Sequence, residues 1–239
     1  MVESSAQKED LQNFSAERWI LQTKNIAQTV DAIDVDSWVA FLYETTNLFK
    51  KMGSAMSMAF SDITTKAEVI QNNRDALRKE RGADSSISLQ DLIEDDITKG
   101  LAKLNGENNS KLCKEMYKGD KKLAKDDYRH QFTSTARTVL RNLWLLDFLH
   151  HFMTMLHTNR DAKLSACAKH AYSEGLGPHH PWVVRQAAKV AMLACPSREN
   201  FLNDTKATYE QIDEFKQTLE QFRGQLWEYY KQKAIIDLP

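Results

Sequence analysis

The sequence predicts an all-α fold, and three observations lead there. Only 8 glycines and 4 prolines punctuate 239 residues, so turn signals are sparse and long helices joined by a few loops are expected. Apolar residues recur at three- and four-residue spacing through several long stretches, the period of a helix with one buried face. With 42% hydrophobic residues, the chain can bury a sizeable core.

Each element follows from its own pattern. Residues 1 to about 11 are polar and expected to be flexible. Phe14, Trp19, Ile20, Ile26, Val30 and Ile33 outline a first amphipathic helix. A second opens after Asp36, an N-cap residue type, and runs through Trp38, Phe41, Leu42 and Phe49 towards Gly53. The stretch MGSAMSMAFSDITTKAEVI from Met52 keeps small and apolar residues on one face, bordered by Asp62 and Lys66. The segment RDALRKERGADSS, residues 74–86, reads as a charged break. SISLQDLIEDDITKGLAKL is helical by its Leu89, Leu92, Ile93, Ile97, Leu101 and Leu104 stripe. Residues 105–126 form a polar, lysine-rich insertion, read as a solvated excursion. A long helix then spans about 127–158, and a shorter one covers AKLSACAKHAYSEGL. Trp182 to Ala194 is apolar nearly all round, which predicts a position in the centre of the fold, with Pro181 in its first turn. A final helix covers about 206–236, followed by KAIIDLP. Neither an internal repeat nor an interior linker appears, so residues 1–239 are read as one domain.

Bulk properties narrow the function. The 32 basic and 33 acidic residues leave a net charge of −1, no field for nucleic acid or an anionic membrane. Anion recognition must be local. Cys113, Cys167 and Cys195 are odd in number and far apart, against a disulfide framework or a zinc site and in favour of a reducing compartment. No signal peptide and no membrane-spanning run is visible, so a cytosolic protein is expected.

One stretch demands an explanation. In TARTVLRNLWLLDFLHHF, Arg137 and Arg141 share a helix face with Trp144, Phe148 and Phe152. Like charges four residues apart repel, and burying either unpaired is costly. Either carboxylates from another helix neutralise them, or an external oxyanion sits opposite, accepting several charge-assisted hydrogen bonds. Asp62 and Lys66 are by themselves an ordinary i,i+4 pair. Asp147, His150, His151 and His157 offer metal-ligand types, but without an ExxH motif they read as histidines on a partly exposed helix face. No GxSxG, Walker loop or HExxH occurs, so neither an enzyme nor a cofactor is indicated.

The segments HHPWVVRQAAKVAMLACPSRENFL, ARTVLR, SLQDLIEDDITKGL, FSDITTK and the terminal DLP together resemble the glycolipid-transfer-protein superfamily, in its ceramide-1-phosphate branch. They occur in family order from about Trp38 onward. The resemblance implies a two-layer helical sandwich that encloses a hydrophobic lipid pocket, with the headgroup at a surface centre. It further implies that Asp62 accepts from the ceramide amide N–H, that His180 donates to the amide carbonyl, and that Lys66, Arg137 and Arg141 hold the phosphate. Trp182 would shape the floor of the site. Where glycolipid-binding members have a sugar-stacking tryptophan, this chain has Arg141, so a phosphorylated sphingolipid is favoured over a glycolipid. Trp144, one turn on, departs from the branch, and Arg129 lies near a loop arginine used by related proteins.

The expectation is therefore a monomeric, non-enzymatic carrier of ceramide-1-phosphate that touches membranes transiently and binds no nucleic acid. A sphingolipid sensor or adaptor using the same pocket, or a glycolipid carrier, are the alternatives. Ile235, Ile236, Leu238, Trp19 and Ile20 are candidate membrane-contact residues, each with core packing as its competing role.

Overall fold

A computed structural model describes residues 13–106, 109–117 and 123–239, apart from the side chains of Ala55, Ser57, Met58 and Phe60. The expectation for residues 1 to about 11 falls outside this range. Among the described residues the secondary structure is helical, with only two isolated β-bridges, Asp34 to Ser88 and Asn105 to Thr133.

The helix α1, Ala16–Gln28, is capped by Ser15, whose hydroxyl accepts from Arg18 N. Trp19 anchors it, stacked on Phe215 at 3.6 Å with its Nε1 donating to Thr45 Oγ1 at 3.0 Å. α2, Val35–Lys51, starts two residues before the expected point. Asp34 is the cap, accepting from Ser37 N at 2.8 Å, and Asp36 lies in the first turn. α3, Ser57–Arg81, overturns the charged break. The helix runs on to Gly82, whose φ of 110° suits a residue without a Cβ. Its charges are paired across helices, Arg74 with Asp36 and Arg81 with Asp91, and its last-turn cations face the negative end of the helix dipole.

α4, Leu89–Thr98, opens with a Ser88/Asp91 capping box. It ends earlier than its apolar stripe suggests. Leu101 and Leu104 form a satellite core with Cys113 under the insertion, which is partly ordered as α5, Asn109–Met116. α6, Thr135–Thr158, begins at Ser134 instead of near residue 127, where Tyr128–His130 is a short 3-10 turn. It packs on α3, α4, α7 (Leu164–Glu174) and α10 (Tyr209–Gln232), and is the axis of the molecule.

The principal core runs from Phe14 to Leu238. α8, Trp182–Leu193, does not belong to it as expected: of its residues only Met192 is buried. It packs mainly on α7 and the short turn Ser54–Met56. Trp182, Val183, Val190 and Leu193 are each at least 65% exposed. An all-round apolar helix thus lies on the surface, an arrangement that a water-facing role does not explain. α9, Arg198–Thr205, packs on α2.

Candidate functional site

The double-arginine face of α6 is fixed at its start by two anchors. Ser134 Oγ accepts from Arg137 N at 2.9 Å, and the buried Asp96 accepts from Ala136 N at 2.8 Å. Burial raises the Asp96 carboxyl to about 7, although backbone N–H groups of Ala136 and Thr135 favour its charged form. At the same residue, Tyr230 Oη donates to Ala136 O at 2.7 Å, tying the last helix to this end.

Arg137 and Arg141 are half-buried. Among the described residues, no carboxylate side chain pairs with either. Their donors meet backbone oxygens of the tail instead. Arg137 Nε donates to Pro239 O, while Arg141 donates to Leu238 O at 3.1 Å and to Pro239 O at 2.5 Å. The tail reaches them because Ala234, at φ 54°, reverses the chain after α10, and because Ile235 and Leu238 are buried. Burial, with the neighbouring Arg137, lowers Arg141 to about 10, and burial lowers Arg137 as well. With main-chain tail oxygens as their partners and no carboxylate side chain among the described residues, both guanidinium groups present donors that suit an oxyanion.

Asp62 and Lys66 form an ion pair on α3, with Asp62 exposed and Lys66 mostly covered. His180 lies in reach of both charges: burial is the main cause of its lowered pKa, Asp62 acts in the opposite sense, and His179 and Lys66 lower it further. Tyr172 Oη lies 2.8 Å from His180 Nδ1. The buried phenol, its pKa raised by desolvation, is the natural donor, which leaves Nε2–H free to donate outward.

A chain of ring contacts joins the two halves. The Arg141 guanidinium lies 4.5 Å from the Trp144 ring centre, and Trp144 stacks on His179, the neighbour of His180. Gly175 allows this approach. A Cβ there would stand 2.4 Å from Phe148 N, so a side chain would push the α7 end and the following His179–His180 segment off α6.

Other expectations fare differently. Trp182 is 65% exposed and forms no floor. Arg129 is held by Asp127 at 2.8 Å through two nitrogens and lies over Tyr117, within the insertion. Asp147 accepts from Arg223 and Trp227, His150 pairs with Glu220, and His157 approaches Asp213, so these groups tie α6 to α10. Of the membrane-contact candidates, Trp19, Ile20, Ile235 and Leu238 are buried and only Ile236 is exposed. The tail's hold on the arginines and the Tyr172 contact were not foreseen. A backbone carbonyl leaves no mark in sequence, and a tyrosine eight residues from a histidine has no characteristic spacing.

Near the C-terminal end of α6, Phe14, Trp19, Ile20, Leu48, Met153, Leu156, Phe201, Ile212 and Phe215 line a narrow apolar cavity of about 20 Å³. Side chains close on such space because an empty apolar void costs about 24 cal/mol per Å³.

Fold and site together define a two-layer, all-helical sandwich with a cationic, oxyanion-suited cluster at its surface and an apolar interior. Residues 33–207 match the family described as glycolipid transfer protein (GLTP). The chain belongs to that family. It is 26% identical over 211 residues to the ceramide-1-phosphate transfer protein of Mus musculus, covering 86% of this chain and 87% of the relative. Among solved structures, the mouse ceramide-1-phosphate transfer protein in its apo-form superimposes with a TM-score of 0.72 at 22% identity, covering 95% of this chain and 100% of that one. The human ceramide-1-phosphate transfer protein in complex with 12:0 ceramide-1-phosphate gives 0.70 at 22% identity, covering 92% and 98%.

Proposed function

We propose that this protein moves a phosphorylated sphingolipid, ceramide-1-phosphate, between membranes without chemical conversion. The observation that carries the reading is the pair Arg137 and Arg141, half-buried and meeting main-chain oxygens of the tail but no carboxylate side chain among the described residues. Lys66 completes the phosphate cluster. Asp62 accepts from the ceramide amide N–H, and His180 Nε2 donates to its carbonyl. The relatives named above support the choice of lipid.

The physics of a carrier fits. Each buried methylene is worth about 0.8 kcal/mol, so a ceramide with about 30 of them stands on the order of 20 kcal/mol from free solution. A protein interior that takes the chains makes exchange nearly neutral. The narrow cavity must widen by displacement of its lining for this to happen. Contact with the membrane is made by the exposed face of α8, where Trp182, Val183, Val190 and Leu193 accompany Arg185 and Lys189. On this reading the protein is a cytosolic monomer of one domain, attached to membranes only while loading and releasing.

The test is transfer between vesicles. Ceramide-1-phosphate should move, and glucosylceramide and galactosylceramide should not; equal rates for all three would refute the phosphate reading. Tight binding without transfer would favour a sensor.

A further inference from the structure

Trp144 lies three residues beyond Arg141 on α6 and is half-buried against the core. Two groups of the protein lean on its indole. The Arg141 guanidinium carbon is 4.5 Å from the ring centre. The His179 imidazole stacks at 3.9 Å between centroids, with the planes 3° apart. Arg141 has no carboxylate side chain as partner among the described residues, so its orientation rests on two supports: tail oxygens at its N–H edge and the indole at its flat side. A phosphate that takes the N–H edge must displace or share the tail oxygens. The indole is then the one support that stays.

We propose that Trp144 is the positioning residue for Arg141: the ring holds the plane of the guanidinium so that its paired N–H groups face the headgroup phosphate, and His179 fixes the ring. The inference rests on the reading of this site as a phosphate site. It also gives the tryptophan a role other than a sugar platform. A sugar needs a free aromatic face, whereas this ring is already engaged by an imidazole and a guanidinium. Cation–π contact of this kind is sequence-specific to aromatic side chains, so phenylalanine should preserve it in part and leucine should not.

The experiment has a ligand-free arm and a ligand arm. In the free protein, ¹⁵N relaxation of Arg141 Nε should report a rigid guanidinium in the wild type and in Trp144→Phe, and a mobile one in Trp144→Leu. Equal rigidity in all three overturns the proposal. His179→Ala keeps the indole and should loosen Arg141 partially, which covers the case in which Trp144→Leu fails to fold; no change there counts against it. In the ligand arm, Trp144→Leu should bind short-chain ceramide-1-phosphate roughly tenfold more weakly and the matching unphosphorylated ceramide as the wild type does. Equal loss for both lipids means a merely structural role and refutes the proposal. If the wild type fails to bind the phosphorylated lipid, the functional reading falls, while the relaxation result still decides whether Trp144 positions Arg141.

Discussion

Replacing Arg141 by leucine separates function from stability in this protein. The side chain already makes two simultaneous hydrogen bonds, to Leu238 O at 3.1 Å and Pro239 O at 2.5 Å, so two phosphate oxygens can be served by the same donors. Exchanging the neutral Leu238 carbonyl for a charged phosphate oxygen gains about 1–1.5 kcal/mol. That one exchange gives roughly a 5- to 13-fold preference for a phosphorylated headgroup. Arg141→Leu should lose a preference of that size in competition transfer between ceramide-1-phosphate and ceramide. Stability should move the other way. Burial and Arg137 lower the pKa of Arg141 to about 10, which means the folded state disfavours its charged form, and removing that charge relieves the cost. Thermal unfolding of the variant should therefore occur at the wild-type temperature or above. Retained phosphate preference, or a large fall in Tm, would refute the reasoning.

Deleting Leu238 and Pro239 should free both arginines and raise affinity for short-chain ceramide-1-phosphate in calorimetry, at the expense of the buried Leu238 contact, about 2 kcal/mol of stability in urea; unchanged affinity would show that the tail does not compete with phosphate. Tyr172→Phe should shift His180 towards a mixture of tautomers, visible in its ¹⁵N ring shifts, and weaken ceramide-1-phosphate binding about three- to tenfold; unchanged shifts would remove Tyr172 from the site. Asp96 has a folded-state pKa of about 7, above its unfolded value. Its contribution to stability is therefore full below about pH 4 and is lost as pH rises to about 7. Urea unfolding of Asp96→Asn should show a shallower fall over that window, and parallel curves for the two proteins would contradict the assignment.

Much of the fold was readable because helices here obey local rules. The N-caps at Ser88 and Thr208 each close a capping box, and the apolar face of Trp38, Phe41, Leu42 and Phe49 is buried as its spacing requires. Two readings failed for tertiary reasons. RDALRKER looked like a break because it is dense in charge, but Asp36 and Asp91 on other helices pair with Arg74 and Arg81 and the helix runs through. The segment from Trp182 looked central because it lacks a polar face, yet its apolar surface faces outward. At the site, the shared face of Arg137 and Arg141 followed from helical spacing. What could not be read was their partner, because main-chain oxygens from a tail about a hundred residues away depend on how α10 ends and turns at Ala234.

The central claim is that the cluster of Asp62, Lys66, Arg137, Arg141 and His180 selects a phosphorylated sphingolipid. Native mass spectrometry after exposure to vesicles containing equal amounts of ceramide-1-phosphate, ceramide, galactosylceramide and phosphatidic acid tests it most directly. The account predicts a one-to-one adduct with the mass of ceramide-1-phosphate. An adduct of galactosylceramide, or equal adducts of ceramide-1-phosphate and ceramide, would contradict it.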